Sequence, residues 1–208
     1  MNKIAAILLA AGRSRRMGAF KPLLPFGDST VVDACIAHLQ EGGAQQPIIV
    51  VVGHRAAEMQ ARLAHLPVSI ALNSETESEM GVSIARGAEQ LPHEAEAVFI
   101  ALVDQPAIQP EIIRHLIDER ARTGALLLVP EHDGRGGHPA LVDLKFRDEL
   151  LRLDPQGGLR ALFDQHRDEV LRVPVASPYI ARDMDTWDDY RALHREIFAV
   201  EPPNLEPV

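Results

Sequence analysis

The first half of the chain alternates continuous apolar runs with helical patterns. The runs have the length and composition of strands that are buried on both faces of a parallel sheet. They cover residues 4–11, 47–52, 68–72 and 97–103. Between them, apolar residues recur every three or four positions, which predicts amphipathic helices over 31–39, 55–65 and from 81 onward. This β-α-β-α-β order favours a parallel sheet with right-handed crossovers.

The second half continues the alternation with shorter elements. The pattern predicts helices over 111–123, 146–153 and from 157, a final helix capped by Thr186, and strands over 125–130, 140–142 and 170–175. We therefore predict an α/β fold with a mostly parallel central sheet. One domain should cover residues 1–198, followed by a flexible, proline-rich tail over 199–208.

Composition excludes several classes of protein. A net charge of −9 over 208 residues argues against general binding of nucleic acid. No apolar stretch is long enough to span a membrane, and the chain opens on a strand pattern, so we expect no signal peptide. The single cysteine, Cys35, excludes an internal disulfide and is typical of a cytoplasmic protein.

Four cations follow the first predicted strand on one short loop. The chain turns at Gly12, and Arg13, Arg15, Arg16 and Lys21 come next. Ligands of open α/β sheets bind at the carboxyl ends of strands, and guanidinium and ammonium groups beside free backbone amides suit a polyphosphate. The glycine spacing matches neither a Walker A loop nor a dinucleotide fingerprint. In an acidic protein, this loop predicts a local site for a small anion.

Carboxylates follow two other parts of the pattern. Asp104 ends the fourth apolar run, and Pro106 prevents the strand from continuing. Near phosphates, this carboxylate would be repelled unless a cation lay between them, and Mg²⁺ prefers one or two carboxylates together with substrate phosphates. Asp183 and Asp185 precede the last helix and, in an extended segment, would point the same way.

Residues 9–25 read LAAGxSxRMGxxKxLLP, which resembles the nucleotide loop of the MobA-like nucleotidyltransferases. The double alanine and the ending Lys-Pro-Leu-Leu-Pro look most like the molybdenum cofactor cytidylyltransferase branch; relatives that use GTP tend to carry Ala-Gly-Gly at 10–12. The resemblance extends over 4–190 through Asp-Gln-Pro, Arg-Gly-Gly-His-Pro and Asp-x-Asp-Thr. It implies a three-layer, Rossmann-like (GT-A-type) nucleotidyltransferase fold.

The resemblance also implies roles for individual residues. Four would be catalytic, namely Arg16, Lys21, Asp104 and Asp185. The nucleotide would contact Leu9, Ala10, Ala11, Gly12, Arg16, Lys21, Asn73, Gly81, Ser83 and Asp104. The acceptor would contact Arg135 and His138, although a glycine-rich hairpin turn explains His138 equally well. Mg²⁺ would be bound by Asp104 with a second aspartate, and we favour Asp185 while keeping Asp183.

The reaction that this implies is transfer of CMP from CTP onto the terminal phosphate of molybdopterin, with release of pyrophosphate. Molybdoenzyme maturation proteins would be its partners. One alternative is a transferase that uses GTP or another nucleotide, on a sugar or alcohol phosphate. Another is a carrier of nucleotide or molybdenum cofactor that has kept the fold without turnover. A dinucleotide-dependent redox enzyme is disfavoured by the glycine spacing.

Overall fold

An eight-stranded sheet forms the centre of the computed structural model, which describes residues 3–45, 47–75 and 79–203. These ranges contain ten strands: β1 (Ile4–Ala10), β2 (Pro25–Phe26), β3 (Ser29–Thr30), β4 (Ile48–Val52), β5 (Ser69–Leu72), β6 (Ala97–Leu102), β7 (Leu127–His132), β8 (Arg135–Gly136), β9 (Ala140–Asp143) and β10 (Val170–Pro174). The helices are α1 (Val31–Glu41), α2 (Ala56–Leu63), α3 (Met80–Ala88), α4 (Pro110–Thr123), α5 (Arg147–Leu151), α6 (Gly158–Gln165) and α7 (Trp187–Phe198).

The central sheet is mostly parallel, which confirms the predicted fold class. Its strand order is β10-β7-β9-β6-β1-β4-β5, with β8 paired to β7, while β2 and β3 form a separate hairpin. β1 pairs in parallel with both β4 and β6, and β4 pairs in parallel with β5. β9 is antiparallel to both β6 and β7, so β7 runs in the same direction as β6.

Helices cover both faces of this sheet and give three layers. Alternate residues of β1 enter opposite cores: Ala6 and Leu8 pack on one face, and Ala5 and Ile7 on the other. The first core is completed by α1, α2, α4 and α7, and the second by α3, α5 and α6. Burial on both faces explains why the strands read as unbroken apolar runs.

Helix starts follow the predicted capping chemistry. At α7 the Thr186 hydroxyl accepts a hydrogen bond from the Asp189 amide at 3.1 Å, and the Asp189 carboxylate accepts one from the Thr186 amide at 2.8 Å. The same reciprocal arrangement joins Thr30 to Asp33 at α1. These contacts satisfy amides that have no partner inside the helix.

Parts of two segments lie beyond the described residues. These are residues 76–78, shortly before α3, and residues 204–208 of the predicted tail. Nearer α7, the carbonyl oxygen of Val200 lies 2.9 Å from Nδ1 of His194. The domain boundary at residue 198 stays a prediction. Within the described ranges, no helix is both long enough and apolar enough to cross a lipid bilayer.

Candidate active site

A cleft of about 600 Å³ lies at the carboxyl edge of β1, β5 and β6. Because these strands are parallel, the loops that follow them meet at the same edge of the sheet. The cleft is closed on one side by the start of α3 and on another by the extended segment before α7. Most of the predicted site residues line it, namely Leu9, Ala11, Gly12, Arg16, Lys21, Asn73, Ser83, Asp104 and Asp185.

The cationic loop after β1 is shaped by Ser14. This residue has a left-handed backbone (φ 51°), and its carbonyl oxygen accepts the amides of Met17 and Gly18, each at 3.1 Å. The Met17 side chain is buried in the core, which anchors the loop. The arginines of the loop therefore face the cleft while its apolar residues are held by the core.

Lys21 brings the two predicted acids together. It starts a 3-10 turn, Lys21–Leu23, and is only 6% exposed. Its Nζ lies 2.7 Å from Oδ1 of Asp185 and 3.6 Å from Oδ2 of Asp104. Asp185 also forms an ion pair with the exposed Arg16. The four residues predicted to be catalytic therefore form one connected cluster, although they come from three distant parts of the chain.

Burial disfavours the ionised form of Asp104. It raises the pKa of this carboxyl, Lys21 opposes the increase, and the nearby carboxylates of Asp183 and Asp185 add to it. The buried ammonium of Lys21 thus lies among three acids, and the exposed Arg16 pairs with one of them. A further cation at this point would favour the ionised form of Asp104.

The side of the cleft formed by β5 and α3 contains a buried polar pair. Nδ2 of Asn73 donates to the Ser83 hydroxyl at 2.9 Å, and Oδ1 of Asn73 accepts the Glu75 amide at 3.0 Å. Asn73 lies just after β5 and Ser83 in the first turn of α3, so this bond joins the strand end to the helix start. Both residues line the cleft, and their contact with nucleotide stays a prediction.

Two of the predicted nucleotide contacts do not line the cleft. The Ala10 side chain is 1% exposed and points into the core, because alternate residues of β1 face opposite sides. Gly81 packs against the loop before α6: a Cβ atom there would lie 2.7 Å from the carbonyl oxygen of Asp154. Its missing side chain allows this close packing, and a contact of its backbone with nucleotide stays a prediction.

A second cavity, of about 860 Å³, adjoins the first, and Met80 and Leu102 line both. His138 and Asp183 line only the second one. Burial lowers the pKa of His138 to about 4, against the opposing effect of Asp183, so its imidazole is neutral at pH 7. The two aspartates of the Asp-x-Asp segment thus face different cavities, Asp185 the first and Asp183 the second.

Arg135 is not brought to either cavity, contrary to the prediction. It lies exposed on β8, which forms a hairpin with β7 through Asp133 and Gly134, both with positive φ. His138 lies beyond this hairpin, and its amide donates a hydrogen bond of 2.8 Å to the carbonyl oxygen of Ile180. That bond turns the loop toward the second cavity.

Sequence reasoning missed several residues that line the site. Gln105 is 5% exposed, lines the second cavity and donates from Nε2 to Oδ1 of Asp183 at 2.8 Å. Its position between Asp104 and Pro106, in the Asp-Gln-Pro motif, is the sequence feature that could have identified it. Arg160, Arg167 and Arg172 also line the second cavity.

The model of the MobA-like NTP transferase domain matches residues 6–170, which is most of the chain. The chain belongs to this family. It is a nucleotidyltransferase with the Rossmann-like architecture of its structural neighbours. The matched range includes Lys21, Asp104 and His138, and it ends before Arg172 and the segment that leads into α7.

Individual relatives are similar over nearly their whole length. The nicotine blue oxidoreductase of Paenarthrobacter nicotinovorans is 28% identical over 198 residues, which cover 91% of this chain and 96% of that protein. The molybdenum cofactor cytidylyltransferase of Escherichia coli K12 is also 28% identical, over 193 residues that cover 91% and 95%. A manganese complex of Rv0371c from Mycobacterium tuberculosis superimposes with a TM-score of 0.79 at 27% identity, covering 94% of this chain and all of that one.

Members of this family use divalent metal ions, and the donor set here fits one. Asp104 and Asp185 converge on Lys21 in the first cleft, where burial raises the pKa of Asp104 and the neighbouring carboxylates add to the increase. Among the described residues, no three His, Cys, Asp or Glu side chains form a preformed metal cage. Two carboxylates with an open face suit Mg²⁺ or Mn²⁺, which complete their coordination with water and substrate phosphates.

Proposed function

We propose that this nucleotidyltransferase moves CMP from CTP onto the terminal phosphate of molybdopterin and releases pyrophosphate. The observation that carries the proposal is the position of the buried Lys21 ammonium, between Asp104 and Asp185 at the floor of a cleft lined by arginines. Such an arrangement suits a triphosphate and the charge that develops on it during transfer.

The reaction asks the protein for positioning and charge neutralisation. An oxygen of the acceptor phosphate attacks the α-phosphorus, a new P–O bond forms, and the bond from the α-phosphorus to the bridging oxygen of pyrophosphate breaks. The acceptor phosphate is already ionised near neutral pH, so no general base has to remove a proton. Lys21 and Arg16 would bind the phosphates and stabilise the leaving pyrophosphate.

Asp104 and Asp185 would hold the Mg²⁺ that accompanies the triphosphate. When bound, this ion neutralises phosphate charge and helps to align the reacting oxygens. Asp185 fits the role better than Asp183, because Asp185 lines the nucleotide cleft and Asp183 the second cavity. The choice of Mg²⁺ over other divalent ions belongs to this proposal.

The second cavity fits the acceptor. It adjoins the nucleotide cleft directly, so a molecule bound there can present its phosphate to the reacting centre. Phe163 offers an aromatic surface for a fused heterocycle. Arg160, Arg167 and Arg172 also line the cavity, paired with Asp164 or Glu131, and could turn to an anionic group of the acceptor. We place this chemistry in the cytoplasm, where a free cysteine is usual, with molybdoenzyme maturation proteins as partners.

The proposed preference for CTP depends on the small residues at the base of the cleft. Ala11 lies beside Gly53, where an added Cβ would come within 3.1 Å of the Ala11 Cβ. This close packing restricts the backbone at position 11, where relatives that use GTP tend to have a glycine. A 28% identity to a cytidylyltransferase does not by itself decide the base.

The direct test is release of pyrophosphate from the purified protein with Mg²⁺ and molybdopterin, compared across CTP, GTP, ATP and UTP. We expect turnover with CTP and a mass corresponding to a cytosine dinucleotide product. Preference for GTP would show that the protein is a guanylyltransferase. Turnover only with sugar or alcohol phosphates would show that one of these is the acceptor in place of molybdopterin. Binding of CTP or cofactor without turnover would instead make the protein a carrier.

The similarity to nicotine blue oxidoreductase supports a second candidate, a redox reaction on an aromatic substrate. The same aromatic and cationic lining of the second cavity would suit such a substrate. The two candidate functions can be distinguished by incubating the protein with nicotine blue and a reduced nicotinamide dinucleotide. A redox reaction would change the absorbance of the dinucleotide and of the dye. Lys21→Met should abolish nucleotidyl transfer, whereas hydride transfer does not need a triphosphate clamp.

A further inference from the structure

A small interior cavity lies behind the candidate active site, between α1, the end of β6 and the loop that follows it. Its volume is about 20 Å³, enough for one water molecule. His38 on α1 and Gln105 after β6 line it, together with apolar residues such as Leu39, Ile108 and Ile113. Most of this lining is apolar, so the few polar atoms that face the cavity determine what it can bind.

Two buried polar atoms from this lining have no hydrogen-bond partner among the described residues: Nδ1 of His38 and Oε1 of Gln105. The Gln105 amide is oriented by chemistry, because Asp183 only accepts hydrogen bonds and must therefore face the Nε2 donor. The Oε1 acceptor is left inside the protein.

His38 presents a second acceptor to the same cavity. The backbone of Pro106 and that of Ile108 both contact its ring, and the backbone of Pro106 offers only a carbonyl oxygen. Since Nδ1 has no partner among the described residues, these contacts fall to Nε2, which then carries the proton and leaves a lone pair on Nδ1 of the neutral imidazole. Burial lowers the pKa of His38, although Glu41, the Pro106 contact, Glu111 and the Ile108 contact oppose it.

We propose that Gln105 is a positioning residue for the active site, held between Asp183 and one internal water molecule that it shares with His38. A water molecule has two O–H donors, one for each acceptor. Fixed in this way, Gln105 holds the Asp183 carboxylate at the wall of the second cavity. The effect on transfer rests on the proposed function, while the water site does not.

The water site is tested without activity. A high-resolution crystal structure should contain a water oxygen within about 2.7–3.2 Å of both Nδ1 of His38 and Oε1 of Gln105. Nitrogen chemical shifts should identify the Nε2–H tautomer of His38. A dry cavity, or the Nδ1–H tautomer, would overturn the water-mediated link. These readouts remain valid even if the protein transfers no nucleotide at all.

The positioning role is tested with matched glutamine variants. Gln105→Met keeps the length of the side chain and loses both polar atoms, and we expect kcat/KM for the acceptor to fall about tenfold. The dissociation constant of the nucleotide should stay within about twofold, since the first cleft is not touched. Gln109→Met, in the same loop but outside both cavities, is the control and should behave as the parent protein.

A swap of donor and acceptor gives the most specific readout. Gln105→Glu places a carboxylate against Asp183 and should impair the acceptor step at least as much as Gln105→Met. Adding Asp183→Asn restores one donor and one acceptor, and we expect activity to recover to within about threefold of the parent. If the double variant is no more active than Gln105→Glu alone, the hydrogen bond between residues 105 and 183 does not position Asp183. If Gln105→Met does not fold, the double variant still tests the positioning role.

Discussion

The backbone amide of Met184 donates a hydrogen bond of 2.9 Å to the carbonyl oxygen of Asp104. This bond joins the loop after β6 to the segment before α7, and the Met184 side chain between the two aspartates is buried in the core. The distance between Asp104 and Asp185 is therefore set by main chain and core packing. Binding of a cation does not have to assemble the pair, which reduces the ordering cost of binding.

Removing the Lys21 ammonium should stop transfer. Lys21→Met keeps the buried aliphatic stem but leaves Asp104 and Asp185 without their shared cation. We expect kcat/KM for pyrophosphate release to fall by about two to three orders of magnitude, as when one preorganised charge-stabilising donor is lost. Lys3→Met, at an exposed position, is the matched control. Circular dichroism checks the fold, and a folded variant with parental activity would exclude Lys21 from catalysis.

The two aspartates before α7 should differ in their effect on metal binding. Asp185→Asn removes a carboxylate from the nucleotide cleft, whereas Asp183→Asn changes the second cavity and can keep the hydrogen bond from Gln105. We expect Asp185→Asn and Asp104→Asn to weaken Mn²⁺ binding in the presence of nucleotide by about 10- to 100-fold. Asp183→Asn should change it by less than about threefold.

Calorimetric titration of Mn²⁺ into each variant gives the comparison. The control is Asp148→Asn on α5, whose carboxylate is exposed. An equal loss in the Asp183 and Asp185 variants would mean that both carboxylates bind the ion. A loss only at Asp183 would reverse the proposed assignment and move the metal toward the second cavity.

Strands buried on both faces could be predicted well from the sequence. The runs at β1, β4 and β6 contain apolar residues without interruption, because both sides of each strand lie in a core. The ends of the strands were harder to predict. β7 begins two residues later than predicted, after the left-handed cap of α4 at Gly124. It extends to His132 because β8 pairs with its polar end.

The candidate site could be predicted where it lies at strand ends and could not where it depends on long-range contacts. Lys21 and Asp104 follow parallel strands, so their meeting at one edge follows from topology. The antiparallel direction of β9 cannot be read from four residues. Nor can the shared cavity of His38 and Gln105, since each residue alone fits an ordinary helix or loop.

His166 gives a pH-dependent contribution to stability that can be measured apart from catalysis. Its Nε2 lies 2.7 Å from Glu149 and its Nδ1 3.3 Å from Glu169, which joins α5, the end of α6 and the start of β10. The hydrogen bond to Glu149 raises the pKa of His166, burial opposes the increase, and the charge of Glu149 and the contact with Glu169 add to it.

Because the folded pKa is raised, the stabilisation is fully present below the unfolded value of about 6.5 and is lost as pH rises through the folded pKa. His166→Gln should therefore lower Tm more at about pH 6 than at about pH 8. The exposed His93→Gln serves as the control. A Tm difference that is equal at the two pH values would mean that the ring contributes by packing on Phe146 and not by its charge.

Two glycines of the site should respond to alanine in opposite ways. At Gly12 an added Cβ meets no atom within 4 Å and the backbone is not left-handed, so Gly12→Ala should fold with unchanged stability. The new methyl group projects from a residue that lines the nucleotide cleft, and we expect nucleotide affinity to fall about tenfold. Gly81→Ala would bring a Cβ to 2.7 Å from the Asp154 carbonyl oxygen.

For Gly81→Ala the overpacking outweighs the gain in helix propensity, and the free energy of unfolding should fall by about 1–2 kcal/mol. Nucleotide affinity of the folded fraction should stay near the parental value, because the contact that is disturbed joins α3 to the loop before α6. Urea unfolding and calorimetric nucleotide titration on both variants give the two readouts. If Gly81→Ala loses affinity and keeps its stability, the nucleotide approaches the backbone of α3 at Gly81 after all.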